Sequence, residues 1–110
     1  MKKEINYKFD HIGVPTKESQ EGEFYIEDGK CYATDPVKTK FFIEFLRPED
    51  GCPYPPIILE KPHVSFLVDN LDEALEGENV VIEPFQPIPT RRLAFIEYGG
   101  FLIELAEEIE

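Results

Sequence analysis

Apolar and polar residues alternate along most of the chain with the two-residue period of β-strands, and a helical period is rare. The alternation, interrupted by glycine and proline, predicts eight strands. Their approximate bounds are residues 5–14, 24–27, 30–34 and 38–47 in the first half of the chain, and 62–69, 79–83, 91–98 and 101–107 in the second. Asp28-Gly29 and Gly99-Gly100 are suited to the tight turns of two hairpins.

Only two segments favour helices, and both are short. Residues 16–23 are polar and contain Gly22, so this segment is expected to form at most a turn or two of helix. Asn70 followed three residues later by Glu73 has the capping-box spacing that starts a helix, and Gly77 ends that helix early. Helices are thus predicted to contribute little to the fold.

The order of the predicted elements is repeated. A strand, a short helix or turn, and three further strands occur in about residues 5–47 and again in about 62–107. Prolines crowd the intervening residues, about 48–61, which can join no central strand and are interpreted as a connector. A second proline-containing stretch, 84–89, is predicted to be a loop. A chain of 110 residues fits a single domain. The order of the elements predicts a fold of the α+β class, with two βαβββ modules in one domain of residues 1–110.

Both modules end in a similar apolar segment that contains one glutamate. Phe41-Phe42-Ile43-Glu44-Phe45-Leu46 in the first is matched by Phe101-Leu102-Ile103-Glu104-Leu105 in the second, each with one glutamate among apolar residues. The two histidines of the chain, His11 and His63, stand early in the first strand of each module. A carboxylate among apolar neighbours is costly to bury unless it is neutralised or paired. An approximate two-fold axis between the modules would bring these four side chains together around one centre.

Two imidazoles and two carboxylates form a donor set typical of a metal site. They suit one divalent ion such as Zn²⁺, Ni²⁺, Co²⁺, Fe²⁺ or Mn²⁺. Taken singly, each residue has an ordinary explanation, because a histidine in a half-buried strand is usually a hydrogen-bonded core residue and a glutamate there usually reaches solvent or pairs with a cation. Their matching positions in the two modules favour the metal site.

The acidic character of the chain excludes several classes of partner. Lysine and arginine total 11 against 23 aspartates and glutamates, which gives a formal charge of −12. Such a protein repels the phosphates of nucleic acids and anionic membrane surfaces. A secretory signal is not apparent, no apolar run approaches the ~20 residues of a membrane-spanning helix, and a cytoplasmic location is expected. Cys31 and Cys52 are then expected to remain thiols.

The segments that carry the histidines and glutamates resemble those of the vicinal oxygen chelate superfamily, which includes glyoxalase I, methylmalonyl-CoA epimerase, extradiol dioxygenases and bleomycin-resistance proteins. The resemblance covers nearly the whole chain. The first, fourth, fifth and eighth strands of the family are matched by Asp10-His11-Ile12-Gly13-Val14, Ile43-Glu44-Phe45-Leu46-Arg47-Pro48, Pro62-His63-Val64-Ser65-Phe66 and Leu102-Ile103-Glu104-Leu105. The resemblance implies a glyoxalase-like, eight-stranded open barrel that binds one divalent metal ion through His11, Glu44, His63 and Glu104.

The resemblance also implies a reaction on a small carbonyl compound. In glyoxalase I and the epimerase, the residues at these positions hold one divalent metal in an octahedral site, with open positions for water or two substrate oxygens. Chelation of a carbonyl favours the movement of a proton between adjacent carbons, and the base in the family is often a glutamate ligand. Glu44 and Glu104 are the two candidates for this base. The expected activity is that of a metal-dependent lyase or isomerase.

Two other functions remain open. A binding protein of the bleomycin-resistance kind keeps the fold, commonly lacks the metal ligands, and sequesters an aromatic or cationic ligand without catalysis. The acidic charge and the nine phenylalanines and five tyrosines favour this function, whereas the complete ligand set argues against it. An extradiol-type dioxygenase would use His11, His63 and Glu104 as a two-histidine, one-carboxylate iron site, which leaves Glu44 without a role.

Arg91 and Arg92, which precede the last hairpin, are weaker candidates for substrate binding. A guanidinium is suited to hold a substrate carboxylate or a thioester-linked anion, although surface carboxylates usually satisfy such arginines in an acidic protein. The short helices depart from the family, in which helices of several turns shape the pocket and the subunit contacts. The resemblance therefore does not extend to recognition of glutathione or coenzyme A adducts, and it leaves a homodimer as an open option.

Overall fold

The computed structural model describes residues 4–109, which form eight strands, two short α-helices and one 3₁₀ turn. The strands of the first half are β1 (Lys8–Pro15), β2 (Phe24–Ile26), β3 (Cys31–Ala33) and β4 (Ile43–Pro48). Those of the second half are β5 (His63–Leu67), β6 (Asn79–Ile88), β7 (Arg91–Tyr98) and β8 (Phe101–Glu108). The helices are α1 (Pro56–Glu60) and α2 (Leu71–Leu75), and the 3₁₀ turn spans Pro36–Lys38.

The eight strands form one mixed sheet in the order β2-β3-β4-β1-β5-β8-β7-β6. β1 runs parallel to β4, whereas the hairpin neighbours β2 and β3, β3 and β4, β6 and β7, and β7 and β8 are antiparallel. In each half the last strand therefore returns to lie beside the first. The predicted α+β class, with eight strands and short helices, is confirmed.

The described chain divides into two compact units. One consists of His11–His63, and the other consists of residues 64–109 together with residues 4–10. The bounds of the two modules predicted from the sequence remain a prediction. No helix within residues 4–109 is both long and apolar enough to span a membrane.

The second unit is built around an apolar core on one face of its strands. The buried members of this core are Val68, Leu71, Ala74, Ala94, Ile96 and Leu105. Helix α2 contributes two of them, and it begins where the capping-box spacing predicts, because the side chain of Asn70 accepts a hydrogen bond from the Glu73 N–H at 3.0 Å. The alternation along β7 and β8 thus sends one set of side chains towards α2 and the other set to the opposite face.

The first unit has no helix between β1 and β2. Glu23, which precedes β2, instead accepts two hydrogen bonds from the Arg47 guanidinium, at 2.9 Å and 2.7 Å. The same guanidinium lies over the Tyr32 ring, 4.2 Å from its centroid. The bidentate bond to Arg47 lowers the pKa of Glu23 from 4.5 to about 2. An ion pair therefore anchors this segment, in which an apolar helix face is missing.

The strand predicted for residues 38–47 is shorter than expected. β4 begins only at Ile43, because the 3₁₀ turn of Pro36–Lys38 precedes it and Phe42 adopts a positive φ of 56°. The side chain of Thr39 accepts a hydrogen bond from the Ile43 N–H at 2.8 Å, which holds this turn against the start of the strand. A phenylalanine in the left-handed region interrupts extended backbone, and the alternating pattern gives no sign of it.

Two proline-rich stretches also differ from prediction. The loop predicted for residues 84–89 is wrong, because β6 continues to Ile88, with shifts of register between Ile82 and Phe85 and again between Phe85 and Ile88. β6 is an edge strand, where a proline removes no hydrogen bond from the interior of the sheet. The connector also contains the short helix α1, in which Pro56 occupies the first turn and its missing N–H is not needed.

Candidate metal centre

His11 and Gly13 lie two residues apart on β1, and both are buried. A Cβ atom at Gly13 would coincide with the imidazole ring of His63. Glycine is therefore required at this position, because only the bare backbone lets the ring of His63 lie directly against β1. The two imidazoles meet edge to face, with ring centroids 5.9 Å apart and an interplanar angle of 77°.

Glu104 lies on β8, on the face opposite the apolar core. Its neighbour Leu105 belongs to that core and Ile103 packs against it, so the alternation directs Glu104 to the other side, opposite Phe95 of β7. The glutamate is only 5% exposed. Burial of a carboxylate to this extent is costly unless hydrogen-bond donors or a cation lie beside it.

The structure brings three of the four predicted ligands together. His11, His63 and Glu104 are buried, and each offers a ligand atom within 4.8 Å of the other two. Donors that share a zinc-like ion lie about 2.0–2.2 Å from it, and hence at most about 4.4 Å from one another. The separations in this set are of the same order, so two imidazoles and one carboxylate could hold one ion. These residues are positioned to bind a metal, and the donor set suits several divalent ions.

Glu44 lies beside this three-residue set. It is the partner of Gly13 in the parallel pairing of β1 with β4, and its Oε1 atom is 3.7 Å from Nε2 of His11. Unlike Glu104, its side chain is 30% exposed. The two glutamates that the sequence presents as equivalents thus occupy different environments.

Ser65 is a further polar residue of this region, and it belongs to none of the motifs that stand out in the sequence. It is completely buried on β5, two residues after His63, and its hydroxyl has no hydrogen-bond partner among the described residues. A buried hydroxyl left without a partner costs about 1–3 kcal/mol. The signal in the sequence is a serine in the alternating strand at the spacing that shares a face with His63.

The two arginines proposed for substrate binding are engaged in ion pairs. Nη1 of Arg91 lies 3.0 Å from Oδ2 of Asp10, and Nη2 of Arg92 lies 3.0 Å from Oδ1 of Asp72. Asp72 is exposed, so the second of these pairs contributes little to stability. A role for either arginine in substrate binding remains a prediction.

The two cysteines are thiols, as expected. Cys31 is fully buried, and its burial raises the pKa of the thiol to about 11. The thiol is therefore protonated at neutral pH, and since the thiolate is the reactive form, Cys31 is not suited to act as a nucleophile.

The arrangement of the eight strands is that of the vicinal oxygen chelate fold, as the sequence predicts. Among solved structures, the chain is similar to the hypothetical protein BH1468 from Bacillus halodurans C-125, with a TM-score of 0.66 and 19% identity over 94% of this chain and 96% of that one. It is also similar to methylmalonyl-CoA epimerase from Mycobacterium tuberculosis, with a TM-score of 0.60 and 19% identity over 94% and 89% of the two chains. No family model and no curated protein sequence matches the chain.

Proposed function

We propose that this protein is a metal-dependent lyase or isomerase of the glyoxalase or epimerase type, which moves a proton next to the carbonyl group of a small substrate. The observation that carries the proposal is the buried set of His11, His63 and Glu104, with Glu44 beside it. The structural likeness to methylmalonyl-CoA epimerase supports the same class of reaction.

The three buried side chains would hold the ion, which would supply Lewis acidity to the oxygen of a bound carbonyl. His11 and His63 would bind through neutral nitrogen atoms, and Glu104 would contribute a negative charge. Burial of all three excludes bulk water, so the electrostatic interactions among them are stronger than at the surface. In this arrangement Glu104 would be a metal ligand and would not transfer the proton.

Glu44 is the residue we propose as the base. Its carboxylate lies 3.7 Å from His11, close enough to reach a molecule bound at the set, yet its side chain keeps 30% exposure. A partly exposed carboxylate can accept a proton from the carbon next to a carbonyl and exchange it with solvent. A well-placed general base contributes about 10²- to 10⁴-fold to the rate.

The substrate we propose is a small carbonyl compound of low negative charge. A protein with a formal charge of −12 repels polyanions, and this repulsion disfavours substrates that carry several phosphates. Arg91 and Arg92 lie in ion pairs with Asp10 and Asp72, which lessens their attraction for an anionic substrate group. A small, neutral or singly charged carbonyl compound is therefore the best candidate.

A second candidate function is favoured by the composition of the buried set. His11, His63 and Glu104 without Glu44 match the two-histidine, one-carboxylate arrangement of non-haem iron oxygenases. An extradiol-type dioxygenase would consume oxygen with a catechol only when loaded with Fe²⁺, whereas the proposed proton transfer needs no oxygen. Oxygen uptake with simple catechols distinguishes the two.

The test begins with metal analysis of protein purified without chelator. The loaded protein is then incubated in D₂O with hemithioacetals, 2-methyl-branched thioesters and α-hydroxyketones. We expect about one ion per chain and incorporation of deuterium next to the carbonyl of at least one compound, detected by mass spectrometry. His63→Ala is the control, because it removes one donor and should abolish both results.

Two results would count against the proposal. A metal content near zero that added Ni²⁺, Co²⁺ or Zn²⁺ does not restore would favour a binding protein without catalysis. A loaded protein that exchanges deuterium with none of the compounds would do the same, even if the ion is bound.

A further inference from the structure

The proposed proton transfer makes no use of the Ser65 hydroxyl, although it is buried close to the residues that carry that chemistry. We propose that Ser65 binds substrate: its hydroxyl donates a hydrogen bond to an oxygen atom of the molecule held at His11, His63 and Glu104. That molecule would be water or a small carbonyl or hydroxyl compound. This role rests on the proposed function, and it makes Ser65 a substrate-binding residue of the same site.

Strand alternation places Ser65 on the required face of the sheet. Val68 belongs to the apolar core that packs around α2, and Phe66 lies against it. Ser65 is therefore directed to the opposite face of β5, the same side as His63 two residues earlier. Glu104 occupies that face of the neighbouring strand, β8.

The internal repeat aligns Ser65 with Glu104 along the two strands. In the first half, Gly13 stands two residues after the histidine and lies opposite Glu44. The hydrogen bond from the Thr16 N–H to the Leu46 carbonyl, at 2.9 Å, sets that register.

The second half has the same bond at the equivalent place. It runs from the Val68 N–H to the Ala106 carbonyl at 2.8 Å. Val68 stands as far after His63 as Thr16 does after His11, and Ala106 stands as far after Glu104 as Leu46 does after Glu44. The register of the first half, applied here, sets Ser65 opposite Glu104.

The chemistry of the hydroxyl points to a partner outside the protein chain. An alanine at this position would fill nearly the same space without burying an unsatisfied polar group. Ser65 has no hydrogen-bond partner among the described residues, and hydroxyl groups that are fully buried are normally hydrogen-bonded. An oxygen atom of water or substrate at the metal centre supplies the missing acceptor.

The test compares wild-type protein with Ser65→Ala in two measurements that need no turnover. The first is calorimetric binding of acetohydroxamate, a neutral compound with two oxygen donors, to the Ni²⁺-loaded protein. We expect Ser65→Ala to weaken this binding about 2- to 10-fold, the loss of one hydrogen bond, while the affinity for Ni²⁺ itself changes less than about 2-fold. The second is the Tm of the metal-free protein, which we expect to stay level or to rise by about 4 °C.

Ala94→Ser is the matched control, because it adds a hydroxyl at another fully buried position, within the apolar core. It should lower the Tm and leave acetohydroxamate binding unchanged. An unchanged acetohydroxamate affinity in Ser65→Ala would overturn the inference. A fall of several degrees in its Tm without metal would also overturn it, because the hydroxyl would then be bonded within the protein.

The two proposals fail in different ways. If Ser65→Ala weakens acetohydroxamate binding but the wild-type protein exchanges no deuterium, the role of Ser65 stands and the proposed catalysis does not. If deuterium exchange occurs and Ser65→Ala has wild-type kcat, KM and acetohydroxamate affinity, the catalysis stands and the role of Ser65 does not.

Discussion

The two halves of the chain differ most in the segment that follows their first strand. After β5, residues 71–75 form a helix whose Leu71 and Ala74 are completely buried in the apolar core. After β1, residues 16–23 form no helix, and Glu23 is tied to Arg47 by two hydrogen bonds. The segment after the first strand is thus held by hydrophobic burial in one half and by an ion pair in the other. The repeat preserves the sheet and leaves the surrounding segments to vary.

A second difference separates the two halves at their glutamates. Glu44 and Glu104 stand in nearly identical apolar segments, yet the first has a side chain that is 30% exposed and the second is buried. The strands beside these glutamates differ in reach: β7 sets Phe95 opposite Glu104, whereas the three-residue β3 pairs with β4 only at residues 46–48 and does not extend to Glu44. Equivalent positions in an internal repeat therefore need not have equivalent roles.

The largest expected effect comes from exchanging these carboxylates for amides one at a time. Glu44→Gln should retain the metal and lose about 10²- to 10⁴-fold in deuterium exchange, because the amide has lost the basicity of the carboxylate. Glu104→Gln should instead weaken the binding of metal, measured by calorimetry, because a charged ligand has become neutral. The reverse pattern would assign the base to Glu104 and make Glu44 the metal ligand.

Truncation of the helix face should have the next largest effect. Leu71→Ala removes a completely buried side chain from the core, and we expect a loss of about 2–5 kcal/mol in the free energy of unfolding. The exposed Val37, which is 76% accessible, provides the control, since Val37→Ala should cost little. If urea denaturation shows that Leu71→Ala loses little free energy of unfolding, packing of α2 is not the main source of stability in the second half.

A smaller effect is expected from a methyl group at Gly13. Gly13→Ala forces the ring of His63 away from β1, which we expect to cost about 1–3 kcal/mol as overpacking and to weaken metal binding as well. The equivalent position of the other half already carries a side chain, so Ser65→Ala provides the contrast and should not reduce stability. Wild-type metal affinity in Gly13→Ala would contradict the close approach of His63.

The smallest effect should appear only in acid. The pKa of Glu23 is lowered from 4.5 to about 2 by its bond to Arg47, so its contribution to stability is present above about pH 4.5 and is lost as the pH falls towards 2. Glu23→Gln should therefore be less stable than wild type at neutral pH and approach it in acid. Leu71→Ala should keep a constant difference from wild type over the same range. If the stability difference between Glu23→Gln and wild type does not change with pH, the ion pair does not stabilise the first half.

The sequence predicted the parts of the fold and site that repeat. Eight strands and the short helix after Asn70 follow from alternation and capping. The duplicated order of histidine and glutamate predicts four ligands, of which His11, His63 and Glu104 form the buried set and Glu44 lies beside it. These features depend on local pattern and on symmetry, which a single sequence displays.

The features that the sequence did not reveal depend on tertiary contacts. The positive φ of Phe42 shortens β4, although phenylalanine is an ordinary strand residue. The exposure of Glu44 and the burial of Ser65 are set by which strands become neighbours. The route of residues 84–88 depends on the position of β6 at an edge, where prolines are tolerated.

That edge position has a consequence for the behaviour of the protein at high concentration. A regular strand at the border of a sheet presents backbone donors and acceptors that can template pairing between molecules and lead to aggregation. β6 carries Pro84 and Pro87, which donate no hydrogen bond, and its register is irregular around them. At the opposite border, β2 is only three residues long. Both borders are thus poor templates for pairing between molecules, and we expect the irregular backbone of β6 to disfavour growth into fibrils.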